Sequence, residues 1–361
     1  MAYVSLSTAN LPDPVVDPAQ GQEASDHFET VIWTGDGTSG RSITTGHQPD
    51  FVWTKERNSA INHIAQNSIS GTGKYLHPNT SAEEQSASTL ITSFDSTGFT
   101  IGNSGSINGS SDTYVAWSWK AGGTAGSNTD GSITSQVSAD TTRKFSIFTY
   151  TGNGSNLSQV GHGLGTTPEF CMIKGRSSGA TGTQRWFVKV PAVCGAGEIL
   201  ELDTTNQASQ TGNGIQTMSS ATVTLGIDTG NVNGINESGK DYVGFAWASV
   251  DGFSSIGSYS GNGSTDGPFI YTGHRPRWIM VKRADASQDW AIFDTELRPA
   301  NNVDNYFLYA NLANAQDTTN QFDILSNGFK LRMTSSLGNA SGGTYLYMAF
   351  AETPVKYSVA R

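Results

Sequence analysis

Apolar and polar residues alternate along this chain in short runs broken by glycine, asparagine, serine and threonine, and a period near 3.6 is almost absent. The pattern predicts strands. It is clearest at Tyr114–Trp119, Tyr242–Trp247 and Tyr345–Phe350. Successive strand side chains point to opposite faces, so Val115, Trp117 and Trp119 share one face, as do Val243, Phe245 and Trp247, and Leu346, Met348 and Phe350. That face is expected to be core. The other carries the opening tyrosine and small groups such as Ala116, Ser118, Gly244, Ala246 and Ala349, which suits the close approach of a second sheet, a neighbouring copy or water.

These three runs close three copies of one repeat. Each copy opens with an aromatic residue and a glycine turn: Trp33-Thr34-Gly35-Asp36-Gly37, Tyr150-Thr151-Gly152-Asn153-Gly154 and Tyr259-Ser260-Gly261-Asn262-Gly263, roughly 110 residues apart. A proline then leads a strand-type run that ends in lysine: Pro49 to Lys55, Pro168 to Lys174 and Pro276 to Lys282. Proline fixes its own φ and donates no hydrogen bond, so it suits the loop delivering the chain to a strand. The lysine is expected to pack its stem and leave its charge in water. His47 and His274 recur two residues before the proline, a placement that points to loop bracing. Copies one and three share a hairpin-like Gly-Phe pair, Gly98-Phe99 and Gly328-Phe329; the matching stretch of copy two, Val223 to Ile227, lacks it.

The repeat predicts an all-β fold of three tandem antiparallel β-sandwich modules. They are expected at 27–120, 145–249 and 250–361, with an extended N-terminal docking arm over 1–26 and a Gly/Ser/Thr-rich linker over 121–144. The long first linker and short second one predict that copies two and three pack as the closer pair. Residues 304–316 could form a short helix, weakened by Asn305, Asn311 and Asn314. Charge narrows the partners. A formal net charge of −10 would repel phosphate backbones and anionic bilayers, so neither nucleic acid nor a membrane is an expected partner. No apolar run is long enough for a membrane span, and no basic and apolar leader opens the chain, so synthesis in a cytoplasm is expected. Cys171 and Cys194 read as ordinary thiols.

Motifs that mimic chemistry have blander readings. Gly35 to Gly40 matches a GxGxxG string but no helix follows it to cap a phosphate. Gly175 to Gly179 matches GxSxG around Ser177, again without the helix a nucleophile elbow needs. The histidines lack metal-site spacing, and the loop from Asp228 to Gly234 spaces its oxygen ligands wrongly for an EF-hand. Glu83-Glu84 and Glu198 with Glu201 are the close carboxylate pairs, better read as solvated loop charges than as a glycosidase pair. Asn153-Gly154 and Asn262-Gly263 read as turns rather than glycan acceptors. No catalytic residue, metal or cofactor is predicted.

The three signatures, with the start Leu11 to Gly21 and the closing Tyr345 to Glu352, resemble a repeated module of unknown function in virion proteins of marine tailed phages. The resemblance spans residues 10 to 354. It implies a virion setting, as a tail-fibre-like or virion structural protein made in the host bacterial cytoplasm, and brings no catalytic residues. The leading expectation is therefore a non-enzymatic adhesin, a homotrimer joined through the small-residue faces, docked on other tail or capsid proteins and touching a host-surface glycan. Asn262, Arg275 and Asn339 in the last copy are its candidate ligand-contacting residues. A capsid decoration protein and a glycan depolymerase are the alternatives.

Overall fold

A computed structural model describes residues 23–177, 184–227, 234–297, 306–319 and 322–352. It is all-β, built from antiparallel sheets. Each copy of the repeat contributes a large sheet with one strand order. In copy one the opening strand Phe28–Thr34 lies beside the closing strand Thr113–Trp119, then the proline strand Phe51–Glu56, then a fourth strand Ile64–Asn67. Copy two repeats this with Phe145–Thr151, Asp241–Trp247, Phe170–Gly175 and Trp186–Lys189. Copy three does so with Ser254–Ser260, Thr344–Ala351, Pro276–Arg283 and Trp290–Asp294. The closing strand is central because it pairs on both edges, and it aligns the two aromatic signatures. Trp33 faces Tyr114, Tyr150 faces Tyr242 and Tyr259 faces Tyr345, with stacked rings 5.4, 5.1 and 5.1 Å apart.

A three-stranded sheet accompanies each large one: Arg41–Thr44, Gly98–Ile101 and Ile91–Asp95; Ser158–Gly161, Thr222–Leu225 and Ile215–Met218; Phe269–Tyr271, Gly328–Leu331 and Phe322–Leu325. One apolar cluster per copy draws on residues of both its sheets and takes in the small-residue face. Ala116 packs with Phe99 and Ile101, Ala246 with Val160 and Val223, and Ala349 with Phe329 and Leu331. The face proposed for subunit contact is therefore covered within the chain. Gly98 and Gly328 share a reason to lack a side chain, since a Cβ on either would lie 2.0 Å from the carbonyl oxygen of Ile43 or Ile270.

The aromatic face of each closing strand points the other way, into one cluster common to all three copies. Trp119 stands at its centre, with its ring 5.3 Å from Phe51 of its own copy, 6.0 Å from Trp247 of copy two and 5.9 Å from Trp278 of copy three. Phe51 also meets Phe245 at 4.5 Å, and Phe28 stacks on Phe350 at 4.7 Å. Copies two and three are thus no closer a pair than the others. A large aromatic side chain buries about 150–250 Å², or about 4–6 kcal/mol of gross hydrophobic stabilisation, so this shared face outweighs any single loop contact.

Several expectations change. Residues 121–144 are no free linker: Gly126–Asn128 and Ser135–Asp140 extend the large sheet of copy two, because their serines and threonines still alternate with Ile133 and Val137. Of the N-terminal arm, residues 1–22 lie outside the described residues. The rest is packed as a 3-10 turn, Ala24–Asp26, with Ala24 buried and the Ser25 carbonyl held by His47 Nδ1 at 2.7 Å. The described part of 304–316 holds a strand, Phe307–Tyr309, and no helix. Among the described residues no helix is long and apolar enough to cross a membrane.

Candidate binding clefts and the repeated turns

The GxG turn is built identically three times, and sterics explain both glycines. A Cβ on Gly35, Gly152 or Gly261 would sit 2.0, 2.3 or 2.3 Å from a backbone oxygen of the opposite loop. Gly37, Gly154 and Gly263 have φ of 70°, 73° and 69°, the left-handed region that favours glycine. A buried asparagine six residues before the closing tyrosine staples each turn. Asn108, Asn236 and Asn339 accept from the amides of Asp36, Asn153 and Asn262 at 3.1, 3.0 and 2.8 Å. They donate to the carbonyls of Thr38, Ser155 and Ser264 at 2.7, 2.8 and 2.8 Å. The tyrosine then locks the staple. Tyr114, Tyr242 and Tyr345 hydroxyls accept from the Gly109, Glu237 and Ala340 amides and donate to the Gly105, Gly234 and Ser336 carbonyls. The fixed interval between asparagine and tyrosine was readable in the sequence. Asn339, a candidate ligand contact by sequence, is one of these three staples.

The candidate residues of the last copy separate accordingly. Asn339 is fully buried and its amide is spent on the turn. Asn262 is exposed, caps its own turn through the Ser264 amide at 2.9 Å and donates to the Asp266 carbonyl at 3.0 Å. Arg275 pairs with Glu352 and donates to the Ile324 carbonyl at 3.1 Å. Ser177 Oγ accepts from the Asp241 amide at 3.1 Å. Glu84 makes a bidentate pair with Arg176 at 2.7 and 3.0 Å, joining copies one and two. Glu201 accepts from Thr204 and Asn206. Cys171 and Cys194 are buried free thiols. Residues 228–233 of the calcium-like loop lie outside the described residues, and among those described no cluster of His, Cys, Asp and Glu could hold a metal.

The repeat lysines are a correction. Lys55, Lys174 and Lys282 are completely buried, with their ammonium groups on backbone carbonyls rather than in water. Lys174 reaches the carbonyls of Gln184 and, in copy one, of Thr80 at 3.1 Å; Lys282 reaches Gln288 at 2.7 Å and, in copy two, Thr205 at 3.1 Å; Lys55 reaches Ser59 at 3.1 Å. Desolvation pulls them down to about 7, 8 and 8 respectively. Beside each lysine a ring N–H crosses to the preceding copy. Trp186 donates to His77 O at 2.9 Å, and Trp290 to Glu201 O at 3.0 Å. In copy one the corresponding place is held by His63, whose Nε2 meets Tyr309 O and Leu312 O of copy three at 2.9 and 3.1 Å. The contacts run from two to one, three to two and one to three, so they close a ring. His63 accepts the Trp53 indole N–H at 2.8 Å on Nδ1, which leaves its proton on Nε2; burial lowers its pKa to about 3. His47 and His274, both buried, are lowered to about 4. His47 braces its loop as expected.

Two clefts of similar size recur at one place in the fold. The first, about 360 Å³, lies in copy one between Ile64, Tyr75 and His77 on one side and Leu90, Ser104 and Ser106 on the other, with Asn62 at its rim. The second, about 370 Å³, lies in copy two over Phe187 and Ile199, rimmed by Arg185, Glu201, Asn206, Gln207, Ser209, Gln210 and Thr211. The pairs Ala65–Leu76 and Val188–Leu200 put Tyr75 and His77 where Ile199 and Glu201 stand. In the copy-two cleft an apolar floor sits beneath amides and hydroxyls that both donate and accept, with Arg185 held by Asp203 at 3.2 Å. This arrangement suits a small ligand with an apolar face and many hydroxyls. Sequence patterning missed it because its rim lies outside the three signatures, partly on the short strands Glu198–Glu201 and Ser209–Gln210.

Neither a curated protein nor a solved structure matches the chain. A family model does, across residues 23–354, from the first described strand through the last and with all three copies of the repeat inside one match. The chain therefore belongs to the family described as a domain of unknown function, DUF7483.

Proposed function

We propose that the chain is a non-enzymatic virion structural protein of the tail-fibre or adhesin type, in which three tandem antiparallel β-sandwich modules close into a rigid ring that meets a host-surface glycan. The observation that carries this reading is the shared aromatic core, in which each repeat completes the other two and makes a stiff block without disulfides. The recurrent polar clefts support glycan contact, since their amides and hydroxyls match sugar hydroxyls. The virion setting comes from the resemblance to marine phage virion proteins. Residues 1–22 are the proposed docking arm, and residues 23–26 belong to the packed body.

The test is labelling with antibody on purified particles, combined with a chain lacking residues 1–22. Tail labelling that disappears with the truncation is the expected result. Dense labelling over the head would make it a capsid decoration protein, and sugar release from host envelope a depolymerase. Particles without the protein would end the virion reading.

A further inference from the structure

The outer faces of the three small sheets differ in a way the shared architecture does not require. In copy three Phe269 is 46% exposed, Tyr271 66% and Leu325 37%, while Ile270 between the two rings points into the core. Strand register identifies the residues at the same places elsewhere. Phe269 pairs with Lys330 and Tyr271 with Gly328; in copy one Ser42 pairs with Thr100 and Thr44 with Gly98; in copy two Gln159 pairs with Thr224 and Gly161 with Thr222. Two exposed rings thus replace hydroxyls, an amide and a glycine, and Leu325, across the intervening Gly328, stands where copy one has Asp95. A lone exposed apolar side chain needs no explanation, but a contiguous apolar face does.

We propose that this face is a stacking platform for the pyranose rings of an uncharged glycan. The charges beside it decide against other ligands. Lys330 is paired with Asp266 at 2.7 Å and Arg332 with Asp323, so the rim has donors and acceptors but no net charge to attract phosphate or an anionic surface. Asp266, 81% exposed, can accept from sugar hydroxyls, and Lys330 can donate to them. Gly328, which has no side chain, pairs with Tyr271 and leaves the space beside its ring open. Side chains two residues apart on one strand stand roughly 7 Å apart, the scale of neighbouring rings in an oligosaccharide. The rings then cover the C–H face of the sugar while the paired charges take its edge.

This proposal deepens the host-surface reading by naming a ligand class and a place, and its test is independent of particle incorporation. The full chain is run in native gels containing dextran, laminarin, galactomannan or xyloglucan. At least one should retard it. The double variant Phe269→Ser with Tyr271→Thr, which copies the Ser42 and Thr44 face, should bind that polysaccharide about tenfold more weakly or worse, with an unchanged melting temperature, while Tyr271→Trp keeps the binding. No retardation by any of the four, or equal retardation of the double variant, overturns the proposal. It is equally overturned if there is no retardation and the double variant instead abolishes self-association in sedimentation velocity, or flotation with phosphatidylglycerol vesicles. Retardation by protein that never appears on particles would end only the virion reading.

Discussion

The inward face of the closing strands and the outward face of the small sheets have had different freedom. Facing inward, Val115, Trp117 and Trp119 meet their counterparts from both other copies, and every copy keeps bulky groups there. Facing outward, past a second apolar layer, the small sheets end in Ser42 and Thr44, in Gln159 and Gly161, or in Phe269 and Tyr271. A position that packs against three copies at once cannot drift without disturbing all of them. A position that meets only solvent can take on a new ligand. The shared core and the outermost face are thus separated by two sheets and an apolar cluster.

The sharpest way to break this comparison is Trp119→Ala. Its ring meets Phe28, Phe51, Phe145, Trp247, Trp278 and Phe350, so truncation should cost about 3–5 kcal/mol. Calorimetry should show one transition, shifted down as a whole; separate melting of copy one would disprove the common core. Next come the staples. Asn108→Ala, Asn236→Ala and Asn339→Ala each strip a buried turn of its partners, and chemical denaturation should report a loss of about 1–3 kcal/mol at each site. A large loss at two sites and none at the third would deny their equivalence.

Protonation gives a smaller effect. Lys174 titrates near 7 in the fold and near 10.5 when unfolded, so between those values the unfolded chain holds more protons and stability rises with pH. Lys55 and Lys282, near 8, act in the same direction. Melting temperature followed by circular dichroism should climb from pH 7 to 9, and Lys174→Met should flatten the climb. Below pH 6.5 the buried His47, His63 and His274 destabilise the fold as acid charges them in the unfolded chain. Asp294, raised to about 7 by burial, opposes them, because its contribution is full below about pH 4 and fades as pH rises to 7. The smallest expected effect is that of Phe269→Ser with Tyr271→Thr on stability, within about 0.5 kcal/mol, since both rings face water.

Strand alternation made Trp117 and Trp119 legible as core, and the repeated turns were legible because glycine has few substitutes there. What covers each face was not legible. Alternation says that two sides differ, but it does not say whether Trp119 meets its own small sheet or a sister copy. The lysines misled for a related reason: Lys174 looks like a residue that reaches water, and only the carbonyl of Thr80 from another copy shows why it does not. Residues 121–144 looked like a tether because serine and threonine are read as loop formers, yet Ile133 and Val137 pin them to the sheet. The clefts were invisible because their rims come from short strands and turns between the repeat signatures, where no pattern recurs between copies.

Phe28, near the first described residue, lies face to face with Phe350, near the last. The first and last described strands therefore meet, and the seam between copies three and one is made with different groups from the other two: His63 takes the place of a tryptophan, and Lys55 stays within its own copy. The ring of repeats is thus closed there by side chains rather than by the run of the chain, and the numbering of the copies belongs to the gene rather than to the object.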